Sequence, residues 1–203
     1  MKIETEAQLR QIYGEPVDRV KRKQLAALEQ HSVRFIEMAP FVVLASTNGR
    51  GFCDSSPRGG APGFVKIIDN HTLLIPDARG NNLLDSHINI LETGRIGCLF
   101  MIPGMDEVLR VNGRAEIRTD SDYLGRFAHP KHPAVSVIKV AIEEVFLHCA
   151  KALMRAGLWQ AGSQIDRREF PSLGQMVNDQ PGEQVAVESQ AEMAERYRKL
   201  LSD

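Results

Sequence analysis

The stretch SSPRGGAPGFVKIIDNHTLLIPDARGNN, Ser55 to Asn82 with Asp54 ahead of it, decides how the rest of the chain is read. It opens on Ser55-Ser56-Pro57-Arg58-Gly59-Gly60, a loop pattern rich in hydroxyls and glycine that carries one guanidinium. Gly63 to Ile68 is a short apolar run holding a single lysine, Lys66, and predicts a strand. Asp69-Asn70-His71 has turn chemistry, and Thr72 to Pro76 predicts the returning strand of a hairpin. The stretch closes on Asp77-Ala78-Arg79-Gly80-Asn81-Asn82, just before a helical pattern. Cations, hydroxyls and amides beside glycines that let the backbone come close are the groups a phosphate-bearing ligand requires.

Outward from that hairpin the pattern stays mostly β. Phe41 to Thr47 is a β-rich run closed by Asn48-Gly49, a dipeptide that favours hairpin turns, and Gly51 to Ser55 predicts the next strand. Downstream, Leu83, Leu84, His87, Ile88 and Leu91 fall on one helical face, and Gly94 stops that helix. Arg95 to Ile102 is a near-continuous apolar strand, and Glu107 to Ile117 alternates, with a bulge expected between Val111 and Gly113. Asp120 is the expected cap of a short helix reaching Phe127, and Ala134 to Ala141 is a further strand. Glu144 to Arg155 predicts a helix stopped by Gly157. Towards the ends, helices are predicted over 5–14 with Thr5 as cap, over Asp18 to His31, near Leu173 to Val177, and over Gln190 to Leu201. Five or six short strands with few helices between them predict a small, mainly β barrel with helical additions, not a doubly wound sheet.

Composition is that of an ordinary soluble globular protein: 203 residues, 43% hydrophobic, 25% charged, net charge -1. Nothing in that balance suggests a nucleic-acid or anionic-membrane partner. No apolar run approaches membrane-spanning length, and the polar, charged start MKIETEAQLRQIYG is unlike a secretory signal. Three cysteines without paired spacing fit free thiols and a cytoplasmic protein.

At Ser55 to Asn82, and again at Leu109-Arg110-Val111-Asn112-Gly113-Arg114-Ala115, the sequence resembles the pyridoxamine 5′-phosphate oxidase-like, FMN-binding split-barrel superfamily. Phe41 to Ser46, Leu74-Ile75-Pro76-Asp77 and Phe100-Met101-Ile102-Pro103-Gly104 extend the likeness over roughly residues 33–160. The resemblance implies a six-stranded antiparallel Greek-key split β-barrel with flanking helices. It implies a homodimer with FMN in each cleft at the subunit interface. The organisation that follows is an N-terminal helical extension over 1–32, the FMN-binding barrel over 33–160, and a C-terminal loop and helix extension over 161–203.

The same resemblance implies the cofactor-binding residues. Ser55, Ser56, Arg58, Val65 and Lys66 would come from the first strands of the stretch, with Lys66 facing the flavin N1–C2=O edge. Ile75, Pro76 and Asp77 would pass the ring, and Arg79, Asn81 and Asn82 would hold the phosphate. Arg110, which could equally pair with a carboxylate across the sheet, joins the set, and Arg155 and Trp159 would reach across the dimer. True pyridoxamine phosphate oxidases carry Ser-Arg-Lys where this chain has Ala78-Arg79-Gly80, and their C-terminal Arg-x-His motif has no counterpart after Trp159. The resemblance therefore points to the branch outside the true pyridoxamine phosphate oxidases: an FMN-dependent oxidoreductase acting on a small molecule or a nicotinamide. A flavin-binding module without turnover, or a barrel holding F420 or haem, are the alternatives. No catalytic side chain stands out.

Several residues read as structural. His129 and His132, three apart in a proline loop, lack further ligands and are expected to be solvated rather than metal-binding. His87 and His148 are expected to pack, and Cys53 to be a small buried residue.

Overall fold

The computed structural model describes residues 2–127, 133–180 and 187–201. His129 and His132 lie outside the described residues. Contacts divide the chain into two units, Met1–Arg155 and Ala156–Asp203.

The first unit is built on seven antiparallel strands: β1 (Phe41–Thr47), β2 (Cys53–Gly59), β3 (Lys66–Asp69), β4 (Thr72–Asp77), β5 (Arg95–Met101), β6 (Val108–Arg118) and β7 (Ser136–His148). Their order across the sheet is β2-β1-β5-β6-β7-β4-β3, so the β3–β4 hairpin returns beyond β7 in Greek-key fashion. This is the mainly β split barrel that the sequence predicts, with seven strands where the resemblance implies six. Alternating side chains fill its core: Val42 and Leu44 from β1, Leu73 and Ile75 from β4, and Cys98 and Phe100 from β5. Leu109 and Val111 from β6 and Ile138 and Val140 from β7 complete it. The described residues hold no helix long and apolar enough to cross a membrane.

Four expectations change. First, Ser55 to Gly59 is not a loop but the body of β2, paired with β1 from Phe41↔Gly59 to Thr47↔Cys53. Pro57 is tolerated there because β2 is an edge strand, where a missing N–H leaves no gap in the ladder.

Second, Glu144 to His148 is not the start of a helix but the end of β7, paired with Val108 to Asn112. The register skips between Asn112 and Gly113, so Glu143 is the extra residue and the bulge lies on β7 rather than β6. Inward positions therefore pass from Ile142 to Val145, and a broken alternation mimics a helical pattern. Gly113 sits opposite this bulge, where a Cβ would lie 2.0 Å from the Ala141 carbonyl oxygen. The helix that remains, α6 (Lys151–Ala156), starts later.

Third, Asp18 to His31 is not one helix. After α1 (Glu6–Tyr13), capped by Thr5 as expected, comes α2 (Asp18–Arg22). The chain then extends so that Leu25 exchanges both backbone hydrogen bonds with Val145, at 2.9 and 2.7 Å, covering the part of β7 that β4 leaves free. A new helix, α3 (Gln30–Met38), is started by a capping box on Glu29 and Ser32 and buries Phe35 and Ile36.

Fourth, Asp120 precedes α5 (Ser121–Leu124) without capping it, because its carboxylate is held by Arg118 at 2.7 and 2.6 Å. Between β4 and β5 runs α4 (Asp85–Thr93), ended as expected by a left-handed Gly94. The second unit carries α7 (Leu173–Asn178), capped by Ser172, and α8 (Gln190–Leu201), both close to their expected bounds.

Two outcomes follow. Gly113→Ala is expected to destabilise the protein by about 3 kcal/mol, read by urea unfolding, since neither backbone nor bulge can yield to the added carbon. Cys53, expected to be buried, is exposed at the start of edge strand β2, and Cys149, just after β7, is exposed too, whereas burial pushes the Cys98 thiol up to about 12. At pH 8 a disulfide reagent should titrate Cys53 and Cys149 in the native protein and Cys98 only on denaturation.

Candidate functional site

Strands β2 and β4 stand towards opposite ends of the sheet order, so no backbone ladder joins them. Side chains do. Arg58 on β2 donates Nε–H to Asp77 Oδ1 at the end of β4, 3.0 Å away, and Nη1–H to Ser56 Oγ at 2.6 Å and to the Pro57 carbonyl at 3.0 Å. The two ionic side chains are only 20% and 14% exposed. Water therefore screens them weakly, and removing one charge strands the other.

Behind Asp77 stands His87, from α4. Its Nε2 lies 3.5 Å from Asp77 Oδ2, within ion-pair reach but with no hydrogen bond made. His87 is 8% exposed. It reaches this place because α4 is turned about its axis relative to the expected apolar face. Its buried residues are Ser86, His87, Asn89 and Ile90, while Leu84, Ile88 and Leu91 face out. Polar partners on the barrel decide the rotation. Ser86 Oγ donates to Asp54 Oδ2 at 2.6 Å, Asn89 Nδ2 to Ser46 Oγ at 3.0 Å, and Thr93 Oγ1 to the Thr47 carbonyl at 3.0 Å. The sequence alone assigns His87 to packing; its pairing with Asp77 has no local signal.

The connection from Asp77 into α4 is exposed at Arg79, Gly80, Asn81 and Asn82. Asn82 and Leu84 are both left-handed, with φ of 60° and 59°. Leucine in this region costs about 1–2 kcal/mol. As the residue at the N-cap of α4, Leu84 gives that helix no side-chain cap, so its first N–H groups have no side-chain acceptor among the described residues. Among the described residues Arg79 has no hydrogen-bond or ion-pair partner, and a Cβ on Gly80 would meet open space. Asn81 Oδ1 accepts the Leu83 N–H at 3.1 Å.

The remaining expected residues divide by environment. Lys66 is half-buried and donates to the Gly63 carbonyl at 2.8 Å, which leaves two of its three N–H bonds uncommitted. Val65 and Ile75 point into the core, so they offer a ligand only backbone groups. Pro76 is half-buried beside Asp77, and Ser55 faces solvent on the side of β2 opposite Ser56 and Arg58. Arg110 stands apart from this group. Its Nη2 donates across the sheet to Glu144 Oε1 at 3.0 Å, Asn112 Nδ2 donates to the same oxygen at 2.8 Å, and its guanidinium lies 4.0 Å over the Phe146 ring. Arg110 Nε is buried without a partner. Arg155 is exposed at the end of the first unit, and Trp159 is half-buried in the second. Among the described residues no cluster of three or more histidine, cysteine or carboxylate side chains could hold a metal.

A seven-stranded antiparallel split barrel with a basic, hydroxyl-bearing seam between β2 and β4 defines the class. The sequence model of the pyridoxamine 5′-phosphate oxidase family matches residues 28–149, and the chain belongs to this family. No curated protein matches the sequence. Among solved structures, HupZ of Group A Streptococcus is similar at 18% identity, with a TM-score of 0.50, over 59% of this chain and 93% of that one. An FMN-binding protein of Syntrophomonas wolfei aligns at 10% identity and TM-score 0.44, over 70% of this chain and 96% of that one. General stress protein 26 of Bacillus anthracis aligns at 16% identity and TM-score 0.43, over 57% and 88%. The likeness to HupZ is one of fold.

The seam pair makes a direct energetic expectation. Arg58→Met and Asp77→Leu should each cost about 2 kcal/mol in urea unfolding, and the double variant less than their sum, because no unpaired charge then remains.

Proposed function

We propose that this protein is a homodimeric FMN-binding flavoprotein and an oxidoreductase. It passes a hydride or electrons between a small organic substrate, or a nicotinamide, and the flavin. The observation that carries this reading is Arg79, unpartnered among the described residues, just upstream of the uncapped start of α4 and beside open space at Gly80. A left-handed leucine and an uncapped helix start are unfavourable alone; an anion received there by backbone N–H groups and a free guanidinium offsets both. The residues present fit FMN. Arg79, Asn81 and Asn82 would take the phosphate, and the remaining N–H groups of Lys66 would meet the ring's carbonyl edge. Ser56, Arg58 and Asp77 would border the ring, with the backbone of Ser55, Val65, Ile75 and Pro76 along it. FMN, when bound, supplies the redox chemistry; the chain orients the ring and sets the charge around it.

The outward apolar residues Leu84, at the start of α4, and Ile88 and Leu91 on it support a second subunit placed against this side, since one domain rarely leaves such a stripe in water. Arg110, Arg155 and Trp159 complete the proposed set at or across that interface. Three free thiols accord with a cytoplasmic setting.

Purified protein should absorb as a flavin, release FMN at about one per chain, sediment as a dimer, and bleach when mixed anaerobically with a reduced nicotinamide. Arg79→Ala should weaken FMN binding by about tenfold to a hundredfold, measured by flavin fluorescence, without altering the unfolding midpoint. A colourless wild type that FMN cannot reconstitute would overturn the reading. A deazaflavin found by mass would replace FMN with F420.

A further inference from the structure

The phosphate site leaves one feature of the seam without a role. His87 is buried, its Nε2 has no hydrogen-bond partner among the described residues, and that nitrogen stands 3.5 Å from the one oxygen of Asp77 that Arg58 does not use. Buried nitrogens are normally satisfied, so an orphan aimed at a carboxylate marks a contact made in another state.

Charged groups on the elements packed against α4 are Asp54 and Arg58 on β2, Arg95 on β5, and Arg110, Arg114, Glu116 and Arg118 on β6; β1 carries none. Asp54 accepts from Ser86, Arg95 and Arg114 bind Glu143, Arg110 binds Glu144, and Arg118 binds Asp120 and Glu116. Among the described residues Asp77 alone is within ion-pair distance of His87.

We propose that His87 is the reserve partner of Asp77. When an anionic ligand draws the Arg58 guanidinium off Asp77, His87 takes a proton from solvent on Nε2 and closes on Oδ2, so that the buried carboxylate stays paired. This rests on the FMN reading, in which the anion is the phosphate held at Arg79, two residues beyond Asp77, and Arg58 turns from Asp77 to share it. Arg58 is suited to move: its side chain reaches solvent, and among the described residues its Nη2 has no acceptor. In the ligand-free state Asp77 is paired by a fixed charge; in the bound state by a titrating one. Binding then takes up a proton, and affinity falls as pH rises. His87 is thus a positioning residue that acts through Asp77.

Calorimetric FMN titrations at pH 7.5, in phosphate-free buffers of different ionisation enthalpy, count the protons. About one should be taken up per FMN by the wild type, and about none by His87→Gln, whose amide can still donate to Asp77. Binding with no proton uptake by the wild type overturns the proposal and leaves the flavin reading standing, with Arg58 serving both partners. Failure of the wild type to bind FMN sinks the flavin reading. The His87 ring is then read without ligand, by 15N NMR at pH 7.5 in Arg58→Gln. There its nitrogens should shift towards imidazolium, and an unmoved ring in the folded variant overturns the proposal. Should Arg58→Gln prove unstable, it should fold at pH 6 and not at pH 8; equal instability at both overturns the proposal as well.

Discussion

A strand at the edge of the sheet and a strand one place in from the other edge are joined by an ion pair, Arg58 to Asp77. Backbone hydrogen bonds do not make this connection: β4 spends both its edges, on β7 and β3, and β2 pairs with β1 alone. The charges sit where water reaches them poorly, so the pair is worth more as a constraint than as net stability. Once it forms, the exit of the chain from Asp77 is set, and with it the connection carrying Arg79, Asn81 and Asn82. The polar face of α4 then locks over β1 and β2 through Ser86, Asn89 and Thr93.

That polar face inverts the usual rule for a surface helix. Amphipathic helices normally turn their apolar stripe inward. Here Ser86, Asn89 and Thr93, spaced at i, i+3 and i+7, bury hydrogen bonds instead, each with a partner supplied by the barrel. Buried polar contacts of this kind cost little when every group is matched, and they fix the rotation of the helix more sharply than apolar packing would. The consequence is twofold: an apolar row is left facing outward, and a histidine is brought behind Asp77.

Much of the fold is legible from local signals. β1, β4 and β5 declare themselves by alternating or continuous apolar runs, and α1 by Thr5 and Gly14, the cap and stop that the structure shows. The family is legible too, because motif order survives where individual contacts cannot be seen. What escapes is non-local. The bulge at Glu143 shifts the alternation of β7 by one residue, and nothing nearby distinguishes that shift from a helical period. Leu25 is extended only because Val145 offers it a free edge more than a hundred residues later. The buried face of α4 differs from the expected one because the barrel's hydroxyls, not the helix's own leucines, set its rotation. Arg110 reads equally as ligand-binding or as a cross-strand partner until β7 is seen to carry Glu144 opposite it.

The cations show most clearly what the structure adds to the sequence. Read along the chain, Arg58, Lys66, Arg79 and Arg110 are all candidates for one flavin phosphate and ring, Arg110 equally for a cross-strand pair. In three dimensions the fold has committed three of them: Arg58 to Asp77 and Ser56, Lys66 to the Gly63 carbonyl, and Arg110 to Glu144 and the Phe146 ring. A committed guanidinium that is drawn off a buried carboxylate leaves that charge unpaired, so such a movement must be compensated within the protein. Among the described residues Arg79 has no such obligation. The free cation and the committed ones therefore play different parts in any anion site on this barrel. Arg79 can contribute affinity directly, whereas any movement of Arg58 off Asp77 needs another partner for that carboxylate, and His87 Nε2 stands 3.5 Å from it.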